Sequence, residues 1–174
     1  MAIVIRTLYN NQNWSNKCID PFDDPLFDYR IECELNITHP KIGEHVCSGS
    51  CWEQTLCKGF YWGCNPQYKY WGERAYPGMK VFFIFRQRTS TETLYTLWAT
   101  TTVKSIDEHI CESGEYGKDG YNLMYFVPFK PLPRNQWISN LKANDIVGTH
   151  FGNGNYRYID KRIESKLDNL LTTK

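Results

Sequence analysis

The run Met79–Arg86 (MKVFFIFR) constrains this chain most. It follows the turn pair Pro77-Gly78 and is the most apolar stretch in the 174 residues. Its β-branched and aromatic residues, bounded by turn signals, predict a central buried strand. A polar turn, Thr89–Glu92, comes next. Thr93–Val103 (TLYTLWATTTV) then repeats the β-type composition, so the two runs predict a hairpin.

The rest of the chain extends this β pattern. Ala2–Leu8 predicts a first strand. Phe27–Ile37 alternates apolar and polar residues and predicts a half-buried one. Leu123–Phe129 predicts another, ended by Pro128, Pro131 and Pro133. Helical signals are fewer. Ser50 and Glu53 have capping-box spacing before Cys51–Lys58, and Gly59 is a natural stop. Arg134–Leu141 predicts one or two helical turns. Ile159, Ile163, Leu167 and Leu170 form a stripe that predicts a helix over Tyr158–Leu171. Trp62–Arg74 and Cys111–Gly120 read as loops. These elements predict one mainly β domain with flanking helices (α+β), a small β-barrel over residues 1–174.

Composition narrows the function classes. Net charge is +1, too low for a protein held on nucleic acid chiefly through phosphates. Aromatics are 16% of the chain, with twelve Tyr and six Trp, more polar-tipped rings than a core needs. No stretch approaches the ~20 apolar residues of a membrane span. Met1–Leu8 is too short and polar-flanked for a signal peptide, so the chain reads as intracellular, in the cytoplasm or another such compartment. Seven cysteines, an odd number, argue against a full disulfide framework.

Between Cys57 and Asp107 the sequence resembles the PUA-like superfamily, and within it the EVE and YTH branches. Lys58-Gly59-Phe60-Tyr61-Trp62-Gly63 is similar to the segment that opens the base pocket in those readers. Pro77-Gly78-Met79-Lys80-Val81-Phe82-Phe83 is similar to their turn and strand. Leu94–Val103, with Ala99 at the small position, and Met124–Phe129 are similar to later strands. The chain departs from the pattern over residues 13–46, a divergent insertion, and at Met79, where the family usually has Asp. The resemblance implies a PUA-like barrel that captures a flipped or single-stranded base, methylated or otherwise modified, between aromatic rings. It implies a nucleic-acid partner, DNA or RNA, and a tethered nuclease or other effector domain in some settings.

Physical chemistry is consistent with such a pocket. A base taken from its stack regains roughly 1–3 kcal/mol on an aromatic face. Trp62 is the first candidate ring, against the alternative that it plugs the barrel end. Trp71 and Trp98 come next, with core packing the competing role for Trp98. Tyr116 and Tyr121 are candidates for a second wall. Asn65 can read a base edge, or serve as a turn residue before Pro66. Asn10 and Asn11 follow the first strand, where the resemblance places a polar base contact. Arg86, Arg88 and Arg157 are candidate phosphate ligands, against the alternative of a solvated charged face.

Two other functions stay open. Cys47, Cys51, Cys57 and Cys64 can in principle hold zinc, in a zinc-stabilised interaction domain, although no CxxC knuckle is present; otherwise no cofactor motif appears. Their competing role is as small buried hydrophobes. No catalytic motif is recognisable, and the residue types argue for binding over catalysis. Some PUA-like relatives are hydrolases or ribonucleases, and the set implied for that reading is Lys80, Thr101 and Glu73.

Overall fold

A computed structural model of the chain describes residues 1–7, 60–64, 75–87, 92–109, 121–148 and 156–173. Seven strands lie among them: β1 (Ala2–Arg6), β2 (Tyr61–Cys64), β3 (Lys80–Gln87), β4 (Leu94–His109), β5 (Tyr121–Phe126), β6 (Ile138–Lys142) and β7 (Tyr156–Ile159). Two helices, α1 (Ala143–Val147) and α2 (Lys161–Thr172), complete the elements, with a 3-10 turn at Arg134–Gln136. The sheet is mixed, in the order β2-β5-β4-β3-β1-β7, and β6 pairs with β4 off that path. The class is therefore mainly β with flanking helices.

The two most apolar strands are neighbours, each with a strand on both sides. β1 runs parallel to β3, with Ile3 opposite Val81 and Ile5 opposite Phe83. Residues 2–5 and 81–85 are buried on both faces of the sheet, which explains their near-continuous apolar sequence. One face carries Ile3, Ile5, Val81, Phe83 and Phe85 into an aromatic core with Trp98, Phe126 and Trp137. The other carries Ala2, Val4, Phe82 and Ile84 toward Ile146 of α1 and Ile163 and Leu167 of α2.

Irregularities in β4 decide where its side chains go. Phe83 faces Ala99 while Ile84 faces Leu97, so Trp98 is an extra residue on β4. Such a bulge turns two consecutive residues to one face. Trp98 and Ala99 accordingly both enter the aromatic core, while Leu97 faces the helices. A second bulge lies where Val103 faces Phe126 and Ser105 faces Tyr125, which makes Lys104 the extra residue. There β4 leaves β3 and continues with β5.

The expected hairpin forms, although β4 continues well past Val103. Three expectations are corrected. Residues 138–142 are strand β6 rather than helix, after the short 3-10 turn. Their spacing looked helical because Ile138 and Leu141 are both buried, but Asn140 has φ +62° and is looped out between them. The last helix starts at Lys161, because residues 156–159 pair with β1 instead. Residues 62–64, expected to open a loop, instead pair with β5 as part of β2, and the remainder of that stretch, 65–74, lies outside the described residues. The strand expected over 27–37 and the helix over 51–58 lie outside the described residues.

Candidate functional site: an aromatic row between two strand ends

Five rings pack in sequence from the start of β2 toward the end of β1. Phe60 meets Phe129 edge-on at 5.7 Å between centroids. Phe129 stacks on Phe83 at 5.1 Å and 16° between planes. Phe83 in turn contacts Trp98 at 5.5 Å and Phe126 at 5.1 Å. Offset and edge-on pairs of this kind follow the ring quadrupoles. Phe83, Trp98 and Phe126 are buried, whereas Phe60 and Phe129 are only partly buried and form the rim.

Each end of the row is fixed by hydrogen bonds. At the inner end the Trp98 Nε1–H donates to Thr7 Oγ1 at 3.0 Å, and that hydroxyl donates to the Ile84 carbonyl at 3.1 Å. At the rim, the Phe126 N–H donates to the Phe60 carbonyl at 2.6 Å. Phe60 has φ +48°, a left-handed conformation that costs an L-residue roughly 1–2 kcal/mol. Strain of this kind clusters at functional sites.

The candidate residues fall around this row unevenly. Trp62 lies on β2, two residues past Phe60, opposite Met124 in the register. Tyr121 opens β5 opposite His109. Trp98 is fully buried and its ring belongs to the core. Thr7 is the last described residue before Asn10 and Asn11, which lie outside the described residues together with Asn65, Trp71, Tyr116 and Arg88. Arg86 is on the helix side of β3, donating from Nη2 to Thr93 Oγ1 at 3.2 Å. Arg157 donates to the Tyr156 carbonyl at 3.0 Å. Sequence reasoning passed over Phe60, Phe83 and Phe129. The available signals were Gly59-Phe60 and Pro128-Phe129, where a ring follows a chain-turning residue.

Two of the groups considered for hydrolysis bond to other parts of the fold. Lys80 Nζ is 2.5 Å from Asp168 of α2, and the Thr101 hydroxyl donates to the Val127 carbonyl at 2.7 Å. Glu73 lies outside the described residues. Cys64 ends β2, while Cys47, Cys51 and Cys57 also lie outside them. Among the described residues no group of three His, Cys, Asp or Glu side chains is placed to hold a metal, and no helix is long and apolar enough to cross a membrane. Comparison with protein-family models and with curated proteins finds no match.

Proposed function

We propose that this chain is a nucleic-acid reader that takes one base, preferentially a modified one, into an aromatic pocket of a PUA-like barrel. The observation that carries the reading is the ring row. Its half-buried rim, Phe60 and Phe129, adjoins the segment that holds Trp62. Its buried end is tied to Thr7, just before the segment with Asn10 and Asn11. A ring wall held on a packed interior is pre-organised, so little ordering cost falls on binding. A methylated base is cheaper to desolvate than an unmodified one, which favours it in such surroundings. The near-neutral charge agrees with recognition by stacking and base edges more than by backbone attraction.

The Trp62→Ala variant tests this. Loss of one stacking face at ~1–3 kcal/mol weakens binding of the preferred oligonucleotide roughly 5- to 150-fold. Intrinsic Trp fluorescence, read against oligonucleotides that differ in a single base modification, measures it. A nearly unchanged melting temperature goes with the proposed role. A large loss of stability instead makes Trp62 a core residue and removes it from the site.

A further inference from the structure

The connection from β5 to β6, residues 127–137, runs along the edge of β4 that faces away from β3. Its Val127 N–H donates to the Thr102 carbonyl at 2.9 Å, and its Leu132 N–H to the Trp98 carbonyl at 2.9 Å. The Trp137 Nε1–H closes the segment on the Leu132 carbonyl at 3.0 Å. Phe129 and Leu132 pack inward against the aromatic core. Pro128, Lys130, Pro133 and Arg134 are exposed. The prolines offer no N–H, so this ridge is a poor template for another strand.

The ridge is also one-signed. From Gly120 through Asn144 the sequence has no Asp or Glu, in a chain whose overall charge is only +1. Lys130 follows the rim ring Phe129 directly. Lys104, the extra residue of the second bulge, is exposed beside Val103, the register partner of Phe126. Neither lysine forms an ion pair among the described residues. The Arg134 guanidinium lies over the Trp137 ring at 5.5 Å, a contact that holds it on the ridge. Among the described residues, Lys80 pairs with Asp168, Lys142 with Glu92, Lys161 with Glu164 and Lys166 with Asp145.

We propose that Lys104, Lys130 and Arg134 form a phosphate track that holds a single strand of nucleic acid along the 127–137 ridge, beside the Phe60–Phe129 rim. The proposal rests on the base-reading function above and adds a set of phosphate contacts to Arg86, Arg88 and Arg157. The levels of Trp98 and Val103 on β4 are about 16 Å apart at ~3.3 Å per residue, so the three cations serve a short run of phosphates. An unstacked strand is favoured over a duplex because the half-buried rings beside the track can accept its bases.

The test compares the wild-type chain with K104Q/K130Q/R134Q and with K142Q/R162Q/K166Q, which removes the same charge from other exposed sites. Binding of an unmodified single-stranded oligonucleotide is measured against salt, and melting curves confirm that each variant is folded. Three phosphate contacts give a log–log slope of about −2, a roughly fourfold loss of affinity for each doubling of salt. The track variant is expected to lose most of that slope and the control variant to keep it. A track variant with the wild-type slope overturns the track and leaves base reading standing. No binding of any oligonucleotide by the wild type overturns both. Equal binding of a polyglutamate of matched charge overturns the choice of nucleic acid.

Discussion

The Thr7→Val substitution isolates one hydrogen bond in the aromatic core. Thr7 is 4% exposed and Trp98 is fully buried, so water cannot replace what is removed. Valine keeps the shape of threonine and removes the acceptor for the indole N–H. The Ile84 carbonyl keeps its 2.8 Å bond from the residue 7 N–H, so the loss falls on Trp98 alone. An orphaned buried donor costs about 1–3 kcal/mol. In a chain of this size that lowers the melting temperature by roughly 2–4 °C per kcal/mol. Trp98→Phe removes the donor and part of the ring, at roughly 1–3 kcal/mol from the lost volume. Once the donor is gone, valine at position 7 leaves no orphan. The double variant should therefore be less destabilised than the sum of the singles, by about 1 kcal/mol or more. Urea and thermal unfolding followed by circular dichroism measure all four proteins. A Thr7→Val loss under about 0.5 kcal/mol, or additivity of the two changes, refutes the reasoning.

Two further outcomes follow from polar and backbone detail. Burial by itself pushes the Glu164 carboxyl up, but the hydrogen bond from Lys161 and the charge of the N-terminal ammonium 3.2 Å away outweigh it and hold the group below its ordinary 4.5. A depressed carboxylate stabilises fully above its unfolded value, and the effect is lost as pH falls through the lower folded value. Glu164→Gln should thus be less stable than wild type at pH 7, by about 1–2 kcal/mol, with the gap closing near pH 3; a gap of equal size at both pH values in urea titrations would contradict this. Gly148 ends α1 at φ +72°, and an added Cβ would meet nothing nearer than Ile163 Cδ1 at 3.8 Å. Gly148→Ala should cost about 1 kcal/mol from backbone strain alone, and an unchanged urea midpoint would show that the turn relaxes.

The sheet's centre was legible because burial on both faces leaves an unbroken apolar sequence, as at residues 81–85. α2 was legible through its stripe, but its start was not. Ile159 belongs to the stripe by spacing and to β7 by pairing; Asp160 separates the two, its carboxylate accepting from the Ile163 N–H at 2.9 Å. β6 was missed because the looped-out Asn140 shifts the period from two to three. The rings of the site were only half legible. Composition points to exposed polar-tipped rings, whereas the partly buried rings of the row, Phe60 and Phe129, are phenylalanines with no polar tip to mark them. A half-buried phenylalanine is set apart from a core one only by how its neighbours bond, as with Phe126 to Phe60.

The position of β1 bears on how the sheet assembles. Ile3 pairs with Val81 on one side and Tyr158 on the other, so β1 joins two strands that both lie far from it in the sequence. During synthesis β3 and β4 can form their hairpin early, yet the apolar edge of β3 stays open until β1 docks, and β1 lacks its second neighbour until β7 emerges. Closing such distant pairs is slow, and an open apolar edge is prone to pairing between chains in the interval. Refolding of this chain should therefore be slow and should lose yield as protein concentration rises, although in the finished sheet β1 is paired along that edge at residues 81–84.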